Sequence, residues 1–215
     1  MRRCCVAGAT AYDPWMTDAG LARLNGLPAE PTERAGPAEQ AEPAEQAEPA
    51  EQAEPARQIV EQVRACCASS AWVAAILAGR PYARRADLLS RSDEVLADLD
   101  WADVREALDA HPRIGERVAG TGQEATWSRR EQSGMDHASH DVRVALLDAN
   151  RAYEERFRHV FLIFATGRTD VEMLAAARER VGNDEATERL VVRSELGRIV
   201  ARRLTVLLDT WGAER

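Results

Sequence analysis

Apolar residues recur at intervals of three and four along most of the chain beyond residue 57. One stretch places five apolar side chains on a single helical face, namely Val142, Ala145, Leu146, Ala149 and Tyr153. Convincing strand-like alternation of apolar and polar residues is not found in the sequence. The pattern therefore predicts an all-α fold, a single compact domain of about eight or nine helices.

Polar caps and glycines mark where several of these helices begin and end. Ser69 or Ser70 can cap a helix that stops at Gly79, and Asp100 can cap another. The last helix is expected to begin near Asp184.

Two stretches are less regular. Residues 116–127 contain two glycines and are predicted to form a loop, with helix resuming after Ser128. The most apolar run, residues 160–165, has the length of a buried strand or of a buried helix segment, and the sequence leaves both open.

A low-complexity repeat interrupts the N-terminal part of the chain. The hexapeptide Pro-Ala-Glu-Gln-Ala-Glu begins at Pro37, Pro43 and Pro49, and Pro55 follows it. Regular prolines oppose a continuous helix, and no large apolar side chain is present to bury, so this acidic insert is expected to be disordered. The chain is thus divided into a disordered leader (1–20), an N-terminal helical segment of the domain (21–28), the repeat (29–56) and the main helical domain (57–211).

The distribution of charge and the spacing of cysteines indicate which binding partners and which cellular compartment suit the protein. The net charge is −8, and the repeat holds eight glutamates and one arginine, so the remainder is almost neutral. No clustered basic face suggests nucleic acid, and no apolar run has the length of a membrane span or of a signal-peptide core. The four cysteines form two adjacent pairs without metal-binding spacing, which fits a reducing cytoplasm.

His111 stands directly before Pro112 at the end of a helical pattern. Because proline disfavours the α conformation in the preceding residue, the His111 ring is expected at or just past a helix end, in a gap between elements. Its ordinary pKa suits acid–base chemistry near neutral pH. Position alone fits a structural histidine as well as a catalytic one.

A second polar cluster runs from Ser128 to Gln132. Ser128 and Glu131 have the spacing of a capping box, in which the serine caps a helix and the glutamate bonds back to it. A helix start also presents free N–H groups that suit an anionic ligand, and Gln132 adds a neutral donor and acceptor. The cluster is therefore predicted to open a helix and to face His111 across one small-molecule site.

Arg203 falls among the apolar positions of the last helix, between Ile199 and Leu207. A buried arginine needs a carboxylate, carbonyl groups or a ligand as its partner. Arg203 is therefore either half of an internal salt bridge or a clamp for substrate.

His137 and His140 share a helix face and could hold a metal ion. The nearby sequence offers no third ligand of the kind that catalytic zinc requires. We interpret the two histidines as surface residues, with a metal-binding protein as the alternative.

Three motifs carry the most specific information in the chain. They are His111-Pro112-Arg113-Ile114-Gly115, Ser128-x-x-Glu131-Gln132-x-Gly134 and Phe161-Leu162-Ile163-Phe164-Ala165-Thr166-Gly167-Arg168. Together they resemble the motifs of the decarboxylase family that acts on 2-oxo-4-hydroxy-4-carboxy-5-ureidoimidazoline (OHCU). The resemblance covers residue 57 to about residue 211 and extends to residues 21–28, whereas the proline repeat departs from the family pattern.

The resemblance implies an all-helical carboxy-lyase, often a homodimer, that needs no cofactor. It would convert OHCU to S-allantoin and carbon dioxide in uric acid (purine) degradation. The catalytic pair of the family falls on His111 and Glu131. Its substrate-binding residues fall on Pro112, Ser128, Arg129, Arg130, Gln132 and Arg203, and on the backbone of Phe161, Leu162, Ile163, Phe164 and Ala165.

A non-catalytic helical interaction domain with the same fold is the alternative function. The two functions differ in the geometry that they require. In an enzyme, His111, Glu131 and Arg203 should converge on one pocket, whereas in an interaction domain they need not.

Overall fold

The computed structural model describes residues 18–28, 50–116, 121–135 and 138–214. These residues form nine α-helices and no strand, which confirms the all-α prediction. The helices are α1 (Ala19–Asn25), α2 (Ala50–Cys66), α3 (Ser70–Ala78), α4 (Arg85–Asp98), α5 (Trp101–Asp109), α6 (Gln123–Glu131), α7 (His140–Phe157), α8 (Asp170–Arg180) and α9 (Glu185–Ala213). A short 3-10 turn, Ser133–Met135, separates α6 from α7.

Short polar side chains fix the start of most helices. Of the two serines that could cap α3, Ser69 does so, and the predicted cap at Asp100 of α5 is confirmed. The last helix, α9, begins next to Asp184 as predicted, and Asp184 is its cap. Ser139 and Thr169 cap α7 and α8 in the same way. Gly79 ends α3, as predicted.

The long helix α9 is the axis of the fold and contacts α1, α2 and α4. Its buried stripe belongs to a large hydrophobic cluster shared with α1 to α6. A second cluster lies mainly between α7 and α8. The two clusters meet at residues 161–165, because Leu162 belongs to the first and Phe161 and Ile163 belong to the second.

The predicted N-terminal segment docks on the domain as α1. Gly20 lies so close to α9 that a Cβ atom there would stand 2.2 Å from the Leu208 carbonyl oxygen. Arg80 Nη1 donates to the carbonyl of Leu27 at 3.0 Å. The helix begins at Ala19, two residues before the predicted boundary, because Asp18 supplies its cap.

The expected start of helix at residue 57 is wrong, because α2 already begins at Ala50, inside the last copy of the repeat, and contains Pro55. A proline inside a helix removes the hydrogen bond to the carbonyl four residues earlier. Here that loss falls near the start of α2, among the good helix formers alanine, glutamate and glutamine, so the helix extends through it. The predicted disordered leader lies outside the described residues up to residue 17, and residues 29–49 of the repeat also lie outside them.

The predicted loop at 116–127 ends earlier than expected, and the capping box that should follow it is wrong. Helix α6 begins at Gln123, with Gly122 as its N-cap, so Ser128 and Glu131 lie in its last two turns. Their side chains are engaged by Arg203 of α9 instead of by their own backbone. A tertiary ion pair therefore outweighs a local capping pattern.

Residues 160–165 form neither a strand nor a helix, although the sequence suggested one or the other. This buried segment satisfies part of its backbone with side chains from the two helices that follow. The Phe164 N–H donates to Glu195 Oε2 at 2.6 Å, and Arg180 Nη1 donates to the Leu162 carbonyl at 2.7 Å. Among the described helices, none is long and apolar enough to cross a membrane.

Candidate functional site

A partly open cavity lies where the two hydrophobic clusters meet. Three of its walls come from separate parts of the chain, namely the segment after α5, the end of α6 and residues 161–165. Ten of the predicted site residues line it, namely His111, Pro112, Ser128, Glu131, Gln132, Phe161, Leu162, Ile163, Ala165 and Arg203. The convergence expected of an enzyme is therefore present.

His111 lies just past the end of α5, as its position before proline predicts. Its Nδ1 lies 2.8 Å from the Ala107 carbonyl oxygen, and a carbonyl can only accept, so Nδ1 carries the hydrogen. Nε2 is buried and has no hydrogen-bond partner among the described residues. In the neutral ring, Nε2 therefore holds a lone pair in a side chain that lines the cavity.

The surroundings of His111 favour this neutral form. Burial, and then the positive charge of Arg203, lower the pKa of His111 to about 4. The Ala107 carbonyl and the charge of Glu131 act in the opposite direction but do not compensate. At neutral pH the ring is therefore uncharged, and its Nε2 can accept a hydrogen bond.

Glu131 is held on the cavity wall by Arg203. Arg203 Nε donates to Glu131 Oε1 at 2.9 Å, and Nη2 donates to Oε2 at 2.8 Å. Nη2 also donates to Ser128 Oγ at 3.2 Å, and Nη1 donates to the Ala65 carbonyl at 3.2 Å. Burial opposes the charged form of Arg203, yet the hydrogen bonds and charge of Glu131 outweigh it and raise the pKa of Arg203.

These contacts show that one of the two roles left open for Arg203, the internal salt bridge, is present. A guanidinium group has five N–H donors, and four of them are used within the protein. Arg203 is thus half of an internal salt bridge, and one Nη1 hydrogen remains for a ligand.

Gln132 joins two walls of the cavity. Its Oε1 accepts the Gly115 N–H at 3.2 Å, which assigns the amide so that its NH2 group remains for another partner. Asn150 Nδ2 donates to the neighbouring Ile114 carbonyl at 2.9 Å. The segment after His111 is therefore held from two sides.

Three predicted substrate-binding residues lie outside the cavity. Arg129 and Arg130 are exposed, because the α6 face that carries Ser128 and Glu131 turns them outward. Phe164 is half-buried and lies under Arg198, whose guanidinium carbon is 4.5 Å from the ring centroid. Direct contact with a ligand in this cavity is therefore not supported for these three side chains.

Two lining residues, Ile114 and Ile199, were not among the predicted site residues. Ile199 precedes Arg203 by one helical turn, so its place on the same face of α9 could have been inferred from spacing. Ile114 lies within the first motif, but its burial depends on packing against the second cluster.

The predicted pair of surface histidines is only partly described. His140 is exposed at the start of α7, and His137 lies outside the described residues. No group of three histidine, cysteine or acidic side chains suited to a metal ion occurs in the part of the chain that the structure covers.

Comparison with known proteins shows that the chain is similar to members of one family. The OHCU decarboxylase family profile matches residues 52–205. The chain is 31% identical over 145 residues to the OHCU decarboxylase of Amia calva, covering 63% of this chain and 79% of that protein. It is 27% identical over 153 residues to the uric acid degradation bifunctional protein TTL of Arabidopsis thaliana, covering 69% of this chain but only 47% of that longer protein.

A solved structure gives the same result for the fold. The crystal structure of an OHCU decarboxylase in the presence of (S)-allantoin superposes with a TM-score of 0.61 and 25% identity. The match covers 69% of this chain and 98% of that one. With the family profile spanning most of the sequence, and with the motif residues gathered on one cavity, the chain belongs to the OHCU decarboxylase family.

Proposed function

We propose that this protein is a carboxy-lyase that converts OHCU to S-allantoin and carbon dioxide in uric acid degradation. The observation that carries the proposal is the convergence of three groups on one cavity: the free Nε2 of His111, the carboxylate of Glu131 and the guanidinium of Arg203. An interaction domain would have no need of a buried base beside an anchored carboxylate. The names of the relatives in the family support the same reaction.

The substrate places a hydroxyl and a carboxylate on one ring carbon, next to a C=N bond. When the bond to the carboxylate breaks, its electron pair moves into the C=N system, and the nitrogen takes a proton from solvent. The hydroxyl proton then leaves as that carbon becomes a carbonyl, and the neighbouring ring carbon gains a proton. The chemistry therefore needs orientation and one proton relay.

We assign that relay to His111. Its Nε2 is a hydrogen-bond acceptor at neutral pH and can take the hydroxyl proton. Returning this proton to the neighbouring carbon from the His111 side of the cavity gives a single stereoisomer. Glu131, fixed by Arg203, orients the substrate by accepting hydrogen bonds from it.

Arg203 is not proposed to hold the departing carboxylate. A tight pair there would stabilise the ground state more than the transition state, in which that charge is lost. Four of its five N–H donors are already used within the protein, which supports this assignment. Phe161 and Ile163 limit the access of water to the intermediate.

The test is a decay assay with freshly generated OHCU. Purified protein should accelerate loss of OHCU and yield S-allantoin, which circular dichroism distinguishes from the racemic product of spontaneous decay. A decay rate and a product chirality that do not change when the protein is added would refute the function.

Three further features complete the proposal. The reaction needs no cofactor, so activity should persist after extensive dialysis against a chelator. The active form is a homodimer in the cytoplasm, and the buried thiols Cys66 and Cys67 suit a reducing compartment. Light scattering coupled to gel filtration tests the dimer, and cell fractionation tests the location.

A further inference from the structure

The backbone of the cavity wall at residues 161–165 is held by two side chains that do not line the cavity. The Leu162 carbonyl is taken by Arg180, and the Phe164 N–H is taken by Glu195. Neither Arg180 nor Glu195 lines the cavity. Both therefore act on the wall from the side that is turned away from a ligand.

Trans peptide geometry determines what these contacts do to Ile163, which does line the cavity. The carbonyl and the N–H of one trans peptide point in opposite directions, and the peptides on both sides of Ile163 are trans. With the Phe164 N–H turned to Glu195, the Ile163 carbonyl must point away from Glu195. With the Leu162 carbonyl turned to Arg180, the Ile163 N–H must point away from Arg180.

Ile163 thus presents one donor and one acceptor, and neither has a partner among the described residues. A pair of this kind matches the –NH–C(=O)– edge of a urea or of a ring lactam. Buried backbone groups need partners, so a ligand with such an edge would satisfy both. The substrate named above contains such edges, and this step rests on the proposed function.

We propose that Glu195 is a positioning residue that sets substrate affinity by aiming the Ile163 carbonyl into the cavity. Its side chain is only 12% exposed, and its Oε2 accepts the Phe164 N–H at 2.6 Å. It lies on α9 two turns before Arg203, so one helix fixes both the carboxylate of Glu131 and the backbone of the opposite wall.

Glu195 also lies near two arginines, and this provides a competing explanation for its burial. Its Oε1 is 3.6 Å from Arg168 Nη2 and 3.4 Å from Arg198 Nη1. If Glu195 acts mainly through these ion pairs, removing its negative charge should be enough to change KM and Kd. If Glu195 acts by accepting the Phe164 N–H, a neutral acceptor of the same shape should keep KM and Kd close to those of wild type.

The experiment compares Glu195→Ala with Glu195→Gln by KM and kcat for OHCU, by calorimetric Kd for S-allantoin, and by hydrogen exchange of the Phe164 amide. Glu195→Ala should raise KM and Kd about tenfold and speed the exchange, as expected for loss of a hydrogen bond to a charged group. Glu195→Gln should keep KM and Kd within about threefold of wild type, because its amide oxygen still accepts the N–H. Glu185→Ala, which removes a surface ion pair with Arg189 on the same helix, is the matched control and should change none of these.

Equal damage from both Glu195 variants would overturn the proposal in favour of ion pairing. Unchanged KM, Kd and exchange in Glu195→Ala, with only a lowered Tm, would overturn it in favour of a purely structural role. A wild-type protein that leaves OHCU decay at its spontaneous rate would instead refute the proposed function, so the two failures are distinguishable.

Discussion

Arg203 on α9 and Glu131 on α6 form a two-point ion pair, with Nε–Oε1 and Nη2–Oε2 distances of 2.9 and 2.8 Å. The two residues are 72 positions apart in the sequence, so the pair forms only when the domain is folded. A planar guanidinium matches a carboxylate at two points and thereby fixes its orientation. The pair therefore fixes the carboxylate of Glu131 on the wall of the cavity.

Two substitutions of Arg203 should distinguish its role in catalysis from its role in stability. Lysine in Arg203→Lys keeps the charge but cannot make two parallel hydrogen bonds, so kcat/KM should fall about 30-fold while the fold is retained. Arg203→Met leaves a largely buried carboxylate without its partner and should destabilise the protein by about 3 kcal/mol. Decay assays and urea unfolding measure the two effects, and wild-type activity in Arg203→Lys would contradict the orienting role.

Removing the ring of His111 should abolish the proton relay. His111→Asn can retain the hydrogen bond to the Ala107 carbonyl but offers no basic nitrogen, so kcat should fall at least about 100-fold. Far-UV circular dichroism should match that of wild type. A His111→Asn variant with more than about a tenth of wild-type kcat would exclude His111 as the proton carrier.

The pH profile of activity should reflect a base with a depressed pKa. Because the pKa of His111 is about 4, kcat/KM should stay flat from pH 8 down to about pH 5. It should then fall as the ring is protonated near pH 4. A decline centred near pH 6.5 would show that the ring is not protected from water in the working enzyme.

The same pKa predicts a loss of stability in mild acid. The unfolded histidine binds a proton near pH 6.5, whereas the folded one resists protonation until about pH 4, so the unfolded chain holds more protons between these values. The contribution of His111 to stability is therefore complete above pH 6.5 and declines as the pH falls toward 4, by roughly 3 kcal/mol in total. Urea unfolding of wild type and of His111→Asn at several pH values isolates this contribution, since effects of other groups cancel in the difference.

Neighbouring residues on α6 should differ sharply in their importance for binding. Gln132 lines the cavity and holds the Gly115 N–H, so Gln132→Ala should raise KM about tenfold. Arg130 is exposed on the opposite side of α6, so Arg130→Ala should leave KM and kcat within about twofold. A large effect of Arg130→Ala on KM would indicate that Arg130 contacts the substrate, as the motif alone suggested.

The sequence was sufficient to predict structure where interactions between residues close in the chain determine it. Short polar caps and apolar spacing located most of the helices, and a proline placed His111 at a helix end. The spacing on α9 identified Arg203 as a buried charge before its partner was known.

Prediction failed where a distant contact outweighs a local preference. Ser128 and Glu131 match a capping box, yet the guanidinium of Arg203 draws both side chains to α9 from within α6. Residues 160–165 look regular in sequence, but Arg180 and Glu195 satisfy their backbone and remove the need for a ladder or a helix. Neither partner lies close in the chain, so no local pattern could reveal them.

Gly134 should tolerate no side chain, because the 3-10 turn after α6 touches the turn after residue 165 there. A Cβ atom at this position would stand 2.1 Å from the Arg168 carbonyl oxygen, so Gly134→Ala must push the 3-10 turn away from the turn after residue 165. We expect Gly134→Ala to destabilise the protein by about 2 kcal/mol and to raise KM, since overpacked sites typically cost this much. Gly197→Ala is the matched control, because a Cβ on Gly197 meets no atom within 4 Å and alanine favours the helix, so stability should rise by about 0.5–1 kcal/mol. Thermal unfolding of both variants decides the matter, and a Gly134→Ala protein as stable and as active as wild type would show that the two turns can separate without harm.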